Sequence, residues 1–127
     1  MKNILLVLLF ALPLCSLAQN KPEEKKYDMK TYYMVFLKKG PDRTQDSVTA
    51  AKIQEGHMAH LNKMANDGKM HLAGPFMEDG DIRGICVYDV ATKEEAEQLA
   101  NEDPAIKFGR LVAEVHKWYA AKGSCLK

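Results

Sequence analysis

The first strand of this chain constrains its fold more than any other segment. Residues 30–37 are rich in aromatic and β-branched side chains, a composition typical of a β-strand. Both alternating sets of side chains are apolar, with Tyr32, Met34 and Phe36 on one side and Tyr33, Val35 and Leu37 on the other. A strand that is apolar on both sides belongs to a sheet that is covered on both faces.

The next segments predict a helix and a hairpin. Apolar residues at three- and four-residue steps indicate a helix over about residues 47–67, with Asp46 or Ser47 as its cap and Gly68 just past its end. Gly56 is a poor helix residue in the middle of this segment. Two short strands follow, at residues 69–73 and 82–90, and the turn signal Asp79-Gly80-Asp81 lies between them.

A second helix and a last strand complete the pattern. Thr92 with Glu95 forms a capping box, and Asp103-Pro104 ends the helix because the residue before a proline disfavours helical torsions. The sequence predicts the last strand at residues 111–119. The resulting order is the split βαβ motif. We therefore predict an α+β fold, a ferredoxin-like βαββαβ sandwich with two helices on one face of a four-stranded antiparallel sheet.

The other face of that sheet would be bare in a single copy. Residues 30–37 nevertheless need apolar cover on both sides. The simplest arrangement packs a second copy sheet against sheet, so we expect a homodimer.

The first residues of the chain predict export. Lys2, the uncharged apolar run from Ile4 to Leu12 and the small residues Ser16-Leu17-Ala18 are typical of a signal peptide at residues 1–18. Such a run is too short to be a stable membrane anchor. We expect a periplasmic or secreted protein with a disordered linker at residues 19–29, one domain at 30–120 and a flexible tail at 121–127.

Charge and cysteine content narrow the function classes. Lys and Arg number 18 against 17 Asp and Glu, so we expect no nucleic-acid partner and, after signal removal, no membrane partner. Export would permit a disulfide between Cys86 and Cys125. The alternative is a buried thiol at Cys86 and a thiol in the tail, and the sequence leaves both open.

Several short motifs together resemble one known family. They are His60-Leu61, Gly68, Leu72-Ala73-Gly74-Pro75, Glu94-Glu95-Ala96, Asp103-Pro104 and Trp118. Their order and spacing are similar to those of the YCII-related family of small dimeric α+β barrel proteins. The resemblance implies a cleft with a histidine and an aspartate as catalytic pair, which fall on His60 and Asp103. It implies no organic cofactor, and a reaction of the proton-transfer or elimination type on a small, often aromatic, molecule.

The chemistry of these two residue types fits that role. Histidine titrates near neutral pH, and a carboxylate bonded to one ring nitrogen fixes the tautomer and raises the basicity of the other. Each residue also has a structural alternative. Asp103 before Pro104 can simply shape a turn, and His60 can be a partly buried helix residue.

The other histidines raise a metal alternative. His57 and His60 lie three residues apart on one helical face, and His116 with Asp103 would complete a set of four ligands. The spacing lacks the glutamate motif of zinc proteases. His57 is also in register with Ile53 and Leu61, so core packing explains it. We therefore assign no metal ligand and keep histidine-based metal binding as a second alternative function.

Six residues are candidates for binding the small-molecule ligand: His57, Gly74, Pro75, Arg83, His116 and Trp118. Trp118 offers a flat apolar wall, under the helices or at the dimer seam, and is otherwise a core or interface anchor. Arg83 can bind a carboxylate through two hydrogen bonds, or else form a surface ion pair. A protein that captures a ligand without turnover remains the alternative to an enzyme.

Overall fold

The structure, a computed structural model, describes residues 24–124 and Leu126. The predicted signal peptide, residues 19–23 of the predicted linker, and Cys125 with its predicted disulfide lie outside the described residues. Residues 24–28 are exposed and precede the first strand. Within the described part of the chain, no helix combines the length and the apolar character needed to cross a membrane.

The chain forms seven elements. They are β1 (Met29–Lys39), α1 (Ser47–Asn66), β2 (Met70–Pro75), β3 (Ile82–Tyr88), α2 (Lys93–Asn101), α3 (Pro104–Lys107) and β4 (Leu111–Ala121). The strands form one antiparallel sheet in the order β2-β3-β1-β4. The predicted α+β class and the predicted order of strands and long helices are confirmed.

Local side-chain bonds begin the helices where the sequence predicted. The Asp46 carboxylate accepts hydrogen bonds from the N–H groups of Val48 and Thr49, at 3.0 and 2.9 Å, and so caps α1. Thr92 accepts from the Glu95 N–H at 3.1 Å and caps α2. α3 was not predicted. Asp103-Pro104 does end α2, but it also starts this short helix, since a proline fits the first helical position.

The two faces of β1 have different surroundings. Tyr33, Val35 and Leu37 belong to the buried core, which also contains Met64 of α1 and Ala96 of α2. The opposite side chains of β1 are half-buried, and two of them pair in register with β4: Tyr32 with Trp118, and Met34 with His116. We call this second surface the open face of the sheet.

Two loops cross in close contact at one end of the sheet. The Gly40 N–H donates to the Arg110 carbonyl at 2.9 Å, and the Asp42 N–H donates to the Gly109 carbonyl at 3.0 Å. A Cβ at position 40 would lie only 2.0 Å from the Gly109 oxygen. Gly109 itself has a φ of 71°, which favours glycine. The loop after β1 is therefore fixed against the turn before β4.

We expect Gly40→Ala to lower the free energy of unfolding by about 1–3 kcal/mol, because the new methyl group overlaps main-chain atoms that cannot move independently. Gly80→Ala is the matched control, since a Cβ there meets nothing closer than 3.9 Å. It should stay within about 0.5 kcal/mol of the parent. Urea unfolding measures both, and equal midpoints for the two variants would show that the loop contact does not matter.

Candidate functional site

Helices α1 and α3 approach each other closely at Gly56. A Cβ on Gly56 would lie 3.0 Å from Cγ of Pro104 and 3.2 Å from its Cβ, so a larger residue would crowd the proline. Glycine costs about 1 kcal/mol relative to alanine inside a helix. The close contact with Pro104 explains why a glycine stands here despite that cost. Because Asp103 precedes Pro104 and His57 follows Gly56, the same contact brings their side chains together.

Asp103 is a buried carboxylate with a partner on each oxygen. The residue is only 2% exposed to solvent. Oδ1 accepts a hydrogen bond from the Ala105 N–H at 2.8 Å, which caps α3. Oδ2 lies 2.6 Å from Nδ1 of His57. A buried charge without such partners would be strongly unfavourable, so these two contacts account for its position.

The bond to Asp103 decides which nitrogen of His57 is free. An ionised carboxylate only accepts, so Nδ1 carries the proton and donates it, and Nε2 of the neutral ring is left with its lone pair. His57 is buried, yet its side chain lines a cavity of about 540 Å³. Nε2 has no hydrogen-bond partner among residues 24–124. The arrangement is that of a general base held by a carboxylate.

The predicted pairing of His60 with Asp103 is wrong, because Asp103 bonds to His57. His60 is not among the residues that line the cavity. Its Nε2 is buried and has no hydrogen-bond partner within the described part of the chain. Burial lowers the pKa of His60, and the nearby Asp103 charge acts in the opposite direction. The catalytic role of the histidine–aspartate pair itself stays a prediction.

The cavity lies between α1 and the sheet. Ile53, His57 and Leu61 line it from α1, and Leu37, Met70 and Cys86 line it from the strands. Burial, with a smaller effect of the Asp103 charge, raises the pKa of the Cys86 thiol to about 12. Cys86 is therefore neutral at physiological pH and acts as part of an apolar wall, not as a nucleophile.

Four of the predicted binding residues line this cavity: His57, Gly74, Pro75 and Arg83. The Arg83 guanidinium is engaged by the loop between β2 and β3. Its Nη1 donates to the Asp79 carboxylate at 2.9 Å and to the Glu78 carbonyl at 3.2 Å. Arg83 thus forms the ion pair that the sequence left open as its alternative role.

His116 and Trp118 do not reach the cavity. Both lie on the open face, where His116 Nε2 is 2.7 Å from the Glu114 carboxylate and Trp118 packs against Tyr32 with ring centroids 6.3 Å apart. Of the two positions predicted for Trp118, the one under the helices is therefore wrong. The proposed set of four metal ligands cannot form either, because His116 lies on the opposite side of the sheet from His57. Among the described residues, no three His, Cys, Asp or Glu side chains converge on one point.

Two residues at the cavity were missed by the sequence analysis. Arg43 follows β1, Arg110 precedes β4, and both line the cavity. They are 67 positions apart and are joined by a bond from Arg43 Nη1 to the Arg110 carbonyl at 2.9 Å. No local pattern signals such a contact. The crossing of the two loops brings the arginines together.

Comparisons with known proteins agree with this fold. The family model of the YCII-related domain matches residues 31–119, which confirms the resemblance seen in the sequence. No match was found among curated proteins. A solved structure with a similar fold is 5-chloro-2-hydroxyhydroquinone dehydrochlorinase from Burkholderia phenoliruptrix AC1100, in complex with 2,5-dihydroxybenzoquinone. The TM-score is 0.53 at 19% identity, over 68% of this chain and 92% of that chain.

We expect Gly56→Ala to disturb the His57–Asp103 pair more than it disturbs the fold. The variant gains about 1 kcal/mol of helix propensity, but its methyl group pushes against Pro104 and shifts the neighbouring carboxylate. Long-range ¹H–¹⁵N NMR of the histidine rings should show changed His57 signals. Glu55→Ala, on the exposed side of the same turn, is the control and should leave them unchanged. Unchanged His57 signals with a simple gain in stability would contradict this assignment.

Proposed function

Because this chain belongs to the YCII-related domain family and joins His57 to Asp103 at the wall of a cavity, we propose that it catalyses proton transfer on a small organic molecule, with elimination as the reaction type. The observation that carries the proposal is the 2.6 Å contact between His57 Nδ1 and Asp103 Oδ2. A buried carboxylate on one ring nitrogen prepares the other nitrogen to accept a proton.

In the proposed reaction, Nε2 of His57 removes a proton from a carbon that is made acidic by a neighbouring carbonyl or conjugated ring. The electron pair of the broken C–H bond forms a new C=C bond. A leaving group such as chloride departs with the electron pair of its own bond. His57 becomes an imidazolium beside the negative Asp103, and the proton then passes to water.

The cavity supports a small, largely apolar substrate. Its volume of about 540 Å³ lies in the range of about 300–1,000 Å³ typical of small-molecule sites. Apolar side chains from both walls would contact the body of the substrate. The structural neighbour is a dehydrochlorinase in complex with 2,5-dihydroxybenzoquinone, a small conjugated ring, and this favours a ligand of similar size for the present cavity.

We also propose that the protein is a homodimer that packs through the open face. Trp118 is 40% exposed and Val112 is 44% exposed there, beside the half-buried Tyr32, Met34 and Phe36 of β1. No helix of the described chain covers these side chains. A second copy would bury them sheet against sheet. The N-terminal sequence further supports a periplasmic or secreted place of action.

We expect His57→Gln and Asp103→Asn to lose proton-transfer activity, while His60→Gln keeps it within a few-fold. The assay incubates a panel of small chlorinated or enolisable hydroxyaromatic compounds, including 5-chloro-2-hydroxyhydroquinone, in D₂O. NMR records deuterium incorporation, and an ion electrode records chloride release. A loss of about 10²–10⁴-fold is expected for His57→Gln, the usual contribution of a positioned base.

His60→Gln is the matched control, because both histidines lie on α1 but only His57 lines the cavity. Activity that depends on His60 and not on His57 would contradict the proposal. Compounds that bind without any exchange or release of chloride would favour the alternative, a protein that captures its ligand without turnover.

A further inference from the structure

The charged side chains that line the cavity are of one sign, positive. The lining contains Arg43, Arg83 and Arg110 but no aspartate or glutamate, although the whole chain has 18 basic and 17 acidic residues. Arginine side chains around a partly enclosed cavity focus a positive potential into it. The lining therefore favours a negatively charged occupant.

Two of these arginines keep their charge available. Arg43 Nη1 donates to the Arg110 carbonyl at 2.9 Å, and Arg110 Nη1 donates to the Gln45 side-chain oxygen at 2.8 Å. Both acceptors are neutral. Among residues 24–124, the only salt bridge that involves an arginine joins Arg83 to Asp79. A guanidinium has five N–H donors, so Arg43 and Arg110 each retain donors for a ligand.

Asp79 is an acidic residue near Arg43, but its carboxylate is already paired with other cations. The pKa of Asp79 is lowered first by its bond to Lys39, at 3.0 Å, and Arg43 contributes least. Arg83 contacts the same carboxylate at 2.9 Å. Asp79 therefore does not cancel the charge of Arg43.

The two arginines are also held in place before any ligand arrives. The Arg110 carbonyl accepts from both the Gly40 N–H and Arg43 Nη1, each at 2.9 Å. Gln45, which accepts from Arg110, donates through Nε2 to the Phe108 carbonyl at 3.1 Å. Groups fixed in this way lose less conformational entropy when they bind.

We propose that Arg43 and Arg110 form an anion subsite, and that the substrate is an organic carboxylate. The flat fork of a guanidinium matches the two oxygens of a carboxylate. The carboxylate would lie on the two arginines, and the apolar body of the molecule would extend towards His57. This inference rests on the proposed function and specifies its substrate class. The same positive charge would stabilise the negative charge that develops when His57 removes a proton.

The test compares two probes of equal shape and different charge, 2,5-dihydroxybenzoate and 2,5-dihydroxybenzamide. Isothermal titration calorimetry measures their affinity for the whole protein. We expect the carboxylate to bind at least about tenfold more tightly than the amide, from charge-assisted hydrogen bonds. The double variant Arg43→Gln/Arg110→Gln should remove this preference. Lys107→Gln, an exposed cation of α3 outside the cavity, is the control and should preserve it.

Equal affinity for the two probes, or a preference that survives in the double variant, would overturn the inference. Because these arginines also join two loops, urea unfolding first checks that the variant folds. A second test uses the parent protein alone: added NaCl should weaken binding of the carboxylate and leave binding of the amide nearly unchanged. Salt-independent binding of the carboxylate would equally overturn the inference.

The two proposals fail in different ways. An arginine-dependent preference for the carboxylate, in a protein that shows no deuterium exchange, would support the anion subsite and remove the catalytic function. Exchange that needs His57 but proceeds equally on the amide would support the function and remove the anion subsite.

Discussion

A carboxylate buried to 2% exposure requires a partner for each oxygen, and the architecture of the site follows from how Asp103 obtains them. One oxygen accepts from the main chain of Ala105 and so starts α3. The other holds the ring of His57 on α1. The same side chain therefore fixes a helix start, a helix–helix contact and the orientation of the His57 ring.

The packing around this pair explains two glycines and the shape of the cavity. Gly56 lets α3 reach α1, and Gly40 lets the loop after β1 reach the turn before β4. The first contact places Asp103, and the second places Arg43 and Arg110. Between them lies a cavity with apolar walls, with His57, the proposed base, on one wall and arginines in its lining. This combination suits the removal of a proton from a small anion.

Much of the fold was predictable because local sequence patterns determine it. The two-sided apolar strand, the helical stripe and the capping residues each reflect neighbours in the sequence. α3 was missed because four residues carry no periodicity. The partner of Asp103 was mistaken because His57 and His60 are three residues apart on α1, and only the position of α3 selects between them. Arg43 and Arg110 were missed because two distant loops bring them together.

The most direct test of the account is the protonation of the His57 ring, read from long-range ¹H–¹⁵N NMR at a pH where the ring is neutral. We predict a proton on Nδ1, donated to Asp103, and a free Nε2. In Asp103→Asn, whose amide can itself donate, this tautomer preference should be lost, whereas His60→Gln should leave it intact. A neutral His57 with its proton on Nε2, or a dependence on Asp103 that appears at His60 instead, would contradict the account.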